Sequence, residues 1–114
     1  MKLSNDRVIS ALAALSQEHR LAAFRLLVQA GEGGLAAGAV ADALGVPPSS
    51  LSFHLAQLTR AGLIKQRRAS RSLIYTANYG AMNALVGFLT ENCCGGASCE
   101  TALTDTSSVE RKSA

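Results

Sequence analysis

Apolar residues recur at helical spacing in five stretches of the chain, and the pattern breaks once. Val8, Ile9, Leu12 and Leu15 form the first stripe, with Asp6 where an N-cap belongs. A second helix, capped by Ser16, runs to about Ala30 with Leu21, Phe24, Leu27 and Val28 inward, and Gly31, Gly33 and Gly34 stop it. A third spans Leu35 to Leu44 with Val40 and Leu44 inward, ending at Gly45. Pro47 and Pro48 cannot lie inside a helix, but Pro48 or the serines after it can open one. That fourth helix puts Leu51, Leu55 and Leu58 on one face, with Ser50, Phe53, His54, Gln57 and Arg60 displaced from it, and closes at Gly62. Between Leu63 and Thr76 the period changes. β-Formers flank Arg67-Arg68-Ala69-Ser70-Arg71-Ser72, which predicts a hairpin with a basic tip. From Asn78 a fifth helix carries Tyr79, Met82, Leu85, Val86 and Leu89, and the polar, serine-rich stretch from Thr104 reads as a tail.

The order of four helices, two strands and a last helix predicts a mainly α chain with a small β-hairpin, a winged helix-turn-helix. Residues 1–92 are expected to form this domain, 93–99 a cysteine segment and 100–114 a flexible tail. One domain of this size buries only a modest core, which dimerisation can complete. Phe53 can face either side, and His19 falls on the second helix with no role assigned.

Charge gives the middle of the chain a partner. The formal net charge is only +3, yet no acid falls between Asp42 and Glu91, where Arg60, Lys65, Arg67, Arg68 and Arg71 cluster. Such a window faces a polyanion, nucleic acid first, or is a solvated basic face. No run of apolar residues is long enough to cross a bilayer, and Asn5, Asp6 and Arg7 interrupt any leader pattern, so the expected compartment is the cytoplasm.

The fourth helix suits double-stranded DNA. Short polar side chains in its N-terminal half (Ser49, Ser50, Ser52, His54) and then Gln57 and Arg60 can approach base edges and phosphates in a major groove. Arg67, Arg68 and Arg71 of the hairpin would add sequence-independent phosphate or minor-groove contacts. For His54 a surface or capping role is the plain alternative, as a solvated face is for Gln57 and Arg60.

The segment Val46 to Ile64, VPPSSLSFHLAQLTRAGLI, resembles the recognition-helix signature of the ArsR/SmtB family of metal- and metalloid-responsive repressors. Ser49, Ser52, His54, Leu55, Leu58, Ala61, Gly62 and Leu63 match its Ser-x-x-Ser-x-His-Leu-x-x-Leu-x-x-Ala-Gly-Leu pattern, and the likeness extends over about residues 5 to 92. It implies a homodimer joined through the first and fifth helices, with two reading helices on successive half-sites of an inverted repeat.

All three cysteines lie in one stretch of seven residues: Cys93, Cys94 and Cys99. An odd number of thiols in a reducing compartment reads as ligands or redox groups rather than a disulfide framework. The family's usual arsenic site, on the helix before the recognition helix, is missing: residues Leu35 to Asp42 contain no cysteine. The fifth helix also lacks the Asp/His pattern of zinc-sensing members. The resemblance is to members with an arsenic site beyond the last helix. Three thiolates leave tetrahedral zinc one ligand short unless Glu100, Asn92, water or a second subunit supplies it, whereas As(III) or Sb(III) takes three sulfurs in a trigonal pyramid. Cd(II), Hg(II) or Pb(II), an organoarsenical held by two thiolates, and a thiol redox switch remain alternatives. No organic cofactor is expected. Nor is an enzyme, since no catalytic base accompanies the thiols and no phosphate loop is present. The expected function is a repressor that leaves its operator when As(III) binds.

Overall fold

Helix α1 (Asn5–Leu15) begins where Ser4 Oγ accepts from the Arg7 N–H at 3.2 Å, so Ser4 rather than Asp6 is its cap. In this computed structural model, which describes residues 3–96, α1 is followed by α2 (Glu18–Ala30), β1 (Leu35–Ala36), α3 (Ala37–Leu44), α4 (Pro48–Arg60), β2 (Ile64–Ala69), β3 (Ser72–Ala77) and α5 (Tyr79–Leu89). Short 3-10 turns cover Gly31–Gly33 and Cys93–Gly96. Ser16 closes α1 by donating to Ala13 O at 2.7 Å, and Gln17 caps α2 by accepting from the Arg20 N–H at 3.0 Å. The serine expected to open α2 thus ends the helix before it.

The four-helix, hairpin, helix order is the expected winged helix-turn-helix, with one addition. β1 joins the hairpin, giving an antiparallel sheet in the order β1-β3-β2 with Leu35 opposite Tyr75 and Ala36 opposite Ile74. Two residues carry no readable strand period, so the sequence alone places Leu35 at the start of a helix. The loop before β1 presses on β3 so closely that a Cβ on Gly34 (φ +70°) would collide with Tyr75 O and stand 2.6 Å from Thr76 Cγ2. Only glycine fits there.

One core serves every element. Val8, Ala11 and Ala14 of α1, Ala23, Phe24 and Leu27 of α2, Val40 and Ala41 of α3, and Leu51, Leu55 and Leu58 of α4 are buried with Leu63, Ile64, Ala77 and Leu85. Alanines therefore form most of the inward stripe of α1, while Ile9 (60% exposed) and Leu12 turn outward; Leu21 of α2 is also exposed, against expectation. On α5 the inward residue is Leu85, and Val86 and Leu89 lie more than half exposed. Asn78 fixes the start of α5, donating from its side chain to Gly62 O and from its backbone to Leu63 O, while Tyr79 Oη donates to Val28 O at 2.9 Å. No helix among the described residues is long and apolar enough to cross a membrane.

Candidate nucleic-acid interface

Helix α4 is set by a short turn after α3. Gly45, in the left-handed region (φ 68°), donates to Ala41 O at 2.8 Å, and Val46 N–H reaches the same carbonyl at 3.2 Å. Pro47 is extended, Pro48 occupies the first turn of α4, and Leu51 N–H donates to Pro47 O. The buried leucines of α4 then orient the rest of it. Ser49, Ser52, Phe53, Ala56 and Arg60 are exposed along the opposite side, with Gln57 half-buried at its flank and Ser50 exposed beside it.

His54 departs from that stripe. Its ring is half-buried against α2, with Nδ1 3.5 Å from Arg20 Nη1 and its centroid 5.6 Å from that of His19. Burial first, then the charges of Arg20 and His19, hold its pKa below the ordinary 6.5. A neutral Nδ1 is the form that can accept from Arg20. The same guanidinium donates from Nε to Ala14 O at 2.7 Å, so Arg20 spans α1 and α4. Neither histidine nor arginine carries a motif that announces this contact, because it joins residues thirty-four apart in the chain.

The hairpin register sorts the basic residues. Lys65 and Arg67 of β2 pair with Thr76 and Ile74, whereas Gln66 and Arg68 pair with Tyr75 and Leu73 on the other face. Gln66 and Tyr75 line a cleft of about 400 Å³ shared with Ser52, Ala56, Thr59 and Arg60 of α4. Arg68 is therefore on the hairpin face that meets α4. Arg67 is on the opposite face and donates from Nη2 to Gly33 O at 3.1 Å. Arg71 is exposed in the tip beside Ser70, whose φ is 58°. The three arginines expected to contact phosphate or the minor groove are thus divided between two faces and a tip.

Phe53 is the exposed residue whose side could not be chosen beforehand. With Leu51 buried, residue 53 falls roughly 200° around the helix from the buried face. It is 59% exposed.

Two of the three thiols fall in the turn after α5. Cys93 is half-buried, its N–H donating to Thr90 O at 3.0 Å, and Cys94 is exposed. Asn92, Cys94, Gly95 and Gly96 all have positive φ, from 58° to 92°, which winds the chain tightly there. Cys99 and the 100–114 tail lie outside the described residues. Among the described residues no group of three or more His, Cys, Asp and Glu is arranged to hold a metal ion.

The chain matches the helix-turn-helix domain family over residues 15–67, from the end of α1 through the middle of β2. It is 28% identical over 89 residues, 78% of this chain and 80% of the relative, to the transcriptional activator HlyU of Vibrio cholerae. Among solved structures it is similar to an ArsR-like transcriptional regulator from Rhodococcus sp. RHA1, with TM-score 0.69 and 25% identity, covering 91% of this chain and 92% of that one. It is also similar to the homodimeric winged helix-turn-helix DNA-binding domain of Mb0332 from Mycobacterium bovis, a possible ArsR-family regulator. There the TM-score is 0.60 at 29% identity, over 76% of this chain and 81% of the other.

Proposed function

We propose that this winged helix-turn-helix DNA-binding regulator of ArsR type is a homodimeric repressor that leaves its operator when trivalent arsenic, or antimony, is captured by Cys93, Cys94 and Cys99. The observation that carries the reading is the position of the vicinal Cys93-Cys94 pair, wound immediately after α5. The outer faces of α5 (Val86, Leu89) and α1 (Ile9, Leu12) carry exposed apolar side chains that a second copy can cover, in keeping with the homodimeric Mycobacterium relative. Ligation just past α5 reorients the end of the dimerisation helix and so the spacing of the two α4 helices. Coupling of this kind requires the ion to bind the DNA-free arrangement more tightly.

In a gel-shift titration, arsenite should release the wild-type protein from its operator. Cys93→Ser, Cys94→Ser and Cys99→Ser should each keep DNA binding and lose the response. Unchanged operator binding at saturating arsenite would refute the proposal.

A redox reading uses the same thiols, with Cys99 pairing to one of the adjacent cysteines. It gains support from the exposure of Cys94 and from HlyU, whose reduced form has been solved at TM-score 0.62 to this chain. An oxidant that releases DNA where arsenite does not would select it.

A further inference from the structure

We infer that Phe53 reads thymine, through the C5-methyl group, in the major groove of each operator half-site; this rests on α4 being the helix that enters the DNA. The core of α4 is complete without it, since Leu51, Leu55 and Leu58 are each at most 1% exposed and point the other way. A phenyl ring 59% exposed contributes little to folding. Its neighbours on the stripe are polar or small: Ser49 and Ser52 before it, Ala56, Gln57 and Arg60 after it. Among the described residues, the other large exposed apolar side chains on helices, Ile9, Leu12, Leu21, Val86, Phe88 and Leu89, sit on α1, α2 and α5, so Phe53 is no part of the faces offered for dimerisation.

Of the groups that base pairs present in the major groove, the thymine methyl is the apolar one. The hydroxyls of Ser49 and Ser52, one turn and one residue away, can engage polar base edges or phosphates around it. The basic window supplies the sequence-independent attraction, because no acid lies on α4 or the hairpin. Phe53 is also constrained: its ring stands edge-on to His54, centroids 6.0 Å apart and planes at 65°. His54 in turn is braced by Arg20. A ring held this way loses less rotamer freedom on binding than an unsupported one.

The test isolates the methyl group. Duplexes enriched by the full-length protein from a random-sequence library supply the operator, and each thymine is then replaced in turn by deoxyuridine. The wild-type protein should lose about fourfold in affinity at one thymine per half-site, and about fifteenfold when both half-sites are changed. Phe53→Ala should bind the thymine and deoxyuridine duplexes alike, while Phe53→Leu keeps part of the preference. Indifference of the wild type to every replacement overturns the inference, as does a penalty that survives in Phe53→Ala. Failure to enrich any sequence would instead sink the reading of the chain as a sequence-specific regulator, and this assignment with it.

Discussion

Arg20 joins two helices that the chain keeps far apart: its Nε donates to Ala14 O at the end of α1, and its Nη1 stands 3.5 Å from His54 Nδ1 on α4. The contact needs His54 neutral, and burial, Arg20 and His19 together lower its pKa from 6.5. The unfolded chain therefore takes up this proton before the folded one does. The stability contributed by neutral His54 is complete above its ordinary pKa and is lost as pH falls through the lowered folded value. Urea midpoints measured from about pH 7.5 to about pH 5 should fall less steeply in His54→Gln than in the wild type. Parallel slopes would remove His54 from the account.

Arg20→Ala should cost about 1 kcal/mol or somewhat more, since it removes the donor to Ala14 O and the support of His54. Arg20→Lys should recover little of this, because an ammonium cannot reproduce the fork that reaches both partners. Equal stability of the two variants and the wild type in denaturant titration would contradict the bracing role.

Gly34→Ala should destabilise the fold by about 2 kcal/mol or more, because a methyl group there meets both β3 backbone and the Thr76 and Ile74 side chains at positive φ. Gly38→Ala, with nothing within 4 Å of the added Cβ, is the control and should be neutral or mildly stabilising. The two are compared by thermal melting.

Leu58→Ala should cost about 2–5 kcal/mol, since Leu58 is fully buried and its loss opens a cavity beneath the reading helix. Ile9→Asp or Val86→Asp leaves that core untouched and should instead give a monomer with weakened operator binding, read by sedimentation at micromolar concentration. A dimer that persists in both variants would exclude the α1 and α5 faces as its interface.

Arg68 and Arg67 should separate in salt titrations. Arg68→Ala removes a cation from the face shared with α4 and should lower the slope of log K against log salt by about 1 per protomer. Arg67→Ala loses the bond to Gly33 O and should change hairpin stability more than that slope. Equal slope changes in both variants would show that the two faces of the hairpin meet phosphate alike.

The periodicity of the chain determined the five helices, the hairpin and the burial of Leu51, Leu55 and Leu58, because each depends on neighbours within one or two turns. The side Phe53 takes was left open by the sequence and follows once Leu51, Leu55 and Leu58 are seen to be buried. Caps were less legible: Ser4 and Gln17 take the places expected of Asp6 and Ser16 only because their side-chain oxygens meet the Arg7 and Arg20 N–H groups, while Ser16 donates to Ala13 O instead. The tertiary structure alone decided the outward turn of Ile9 and Leu12, because α1 packs through Val8, Ala11 and Ala14, whose small side chains let it approach closely. It alone added β1 to the sheet, turned His54 to Arg20, and split Arg67 from Arg68, each a matter of partners distant in the chain. Short-range repetition names the elements and the core face of α4; where Ile9, His54 and Arg67 turn is set by partners brought together over long stretches of chain.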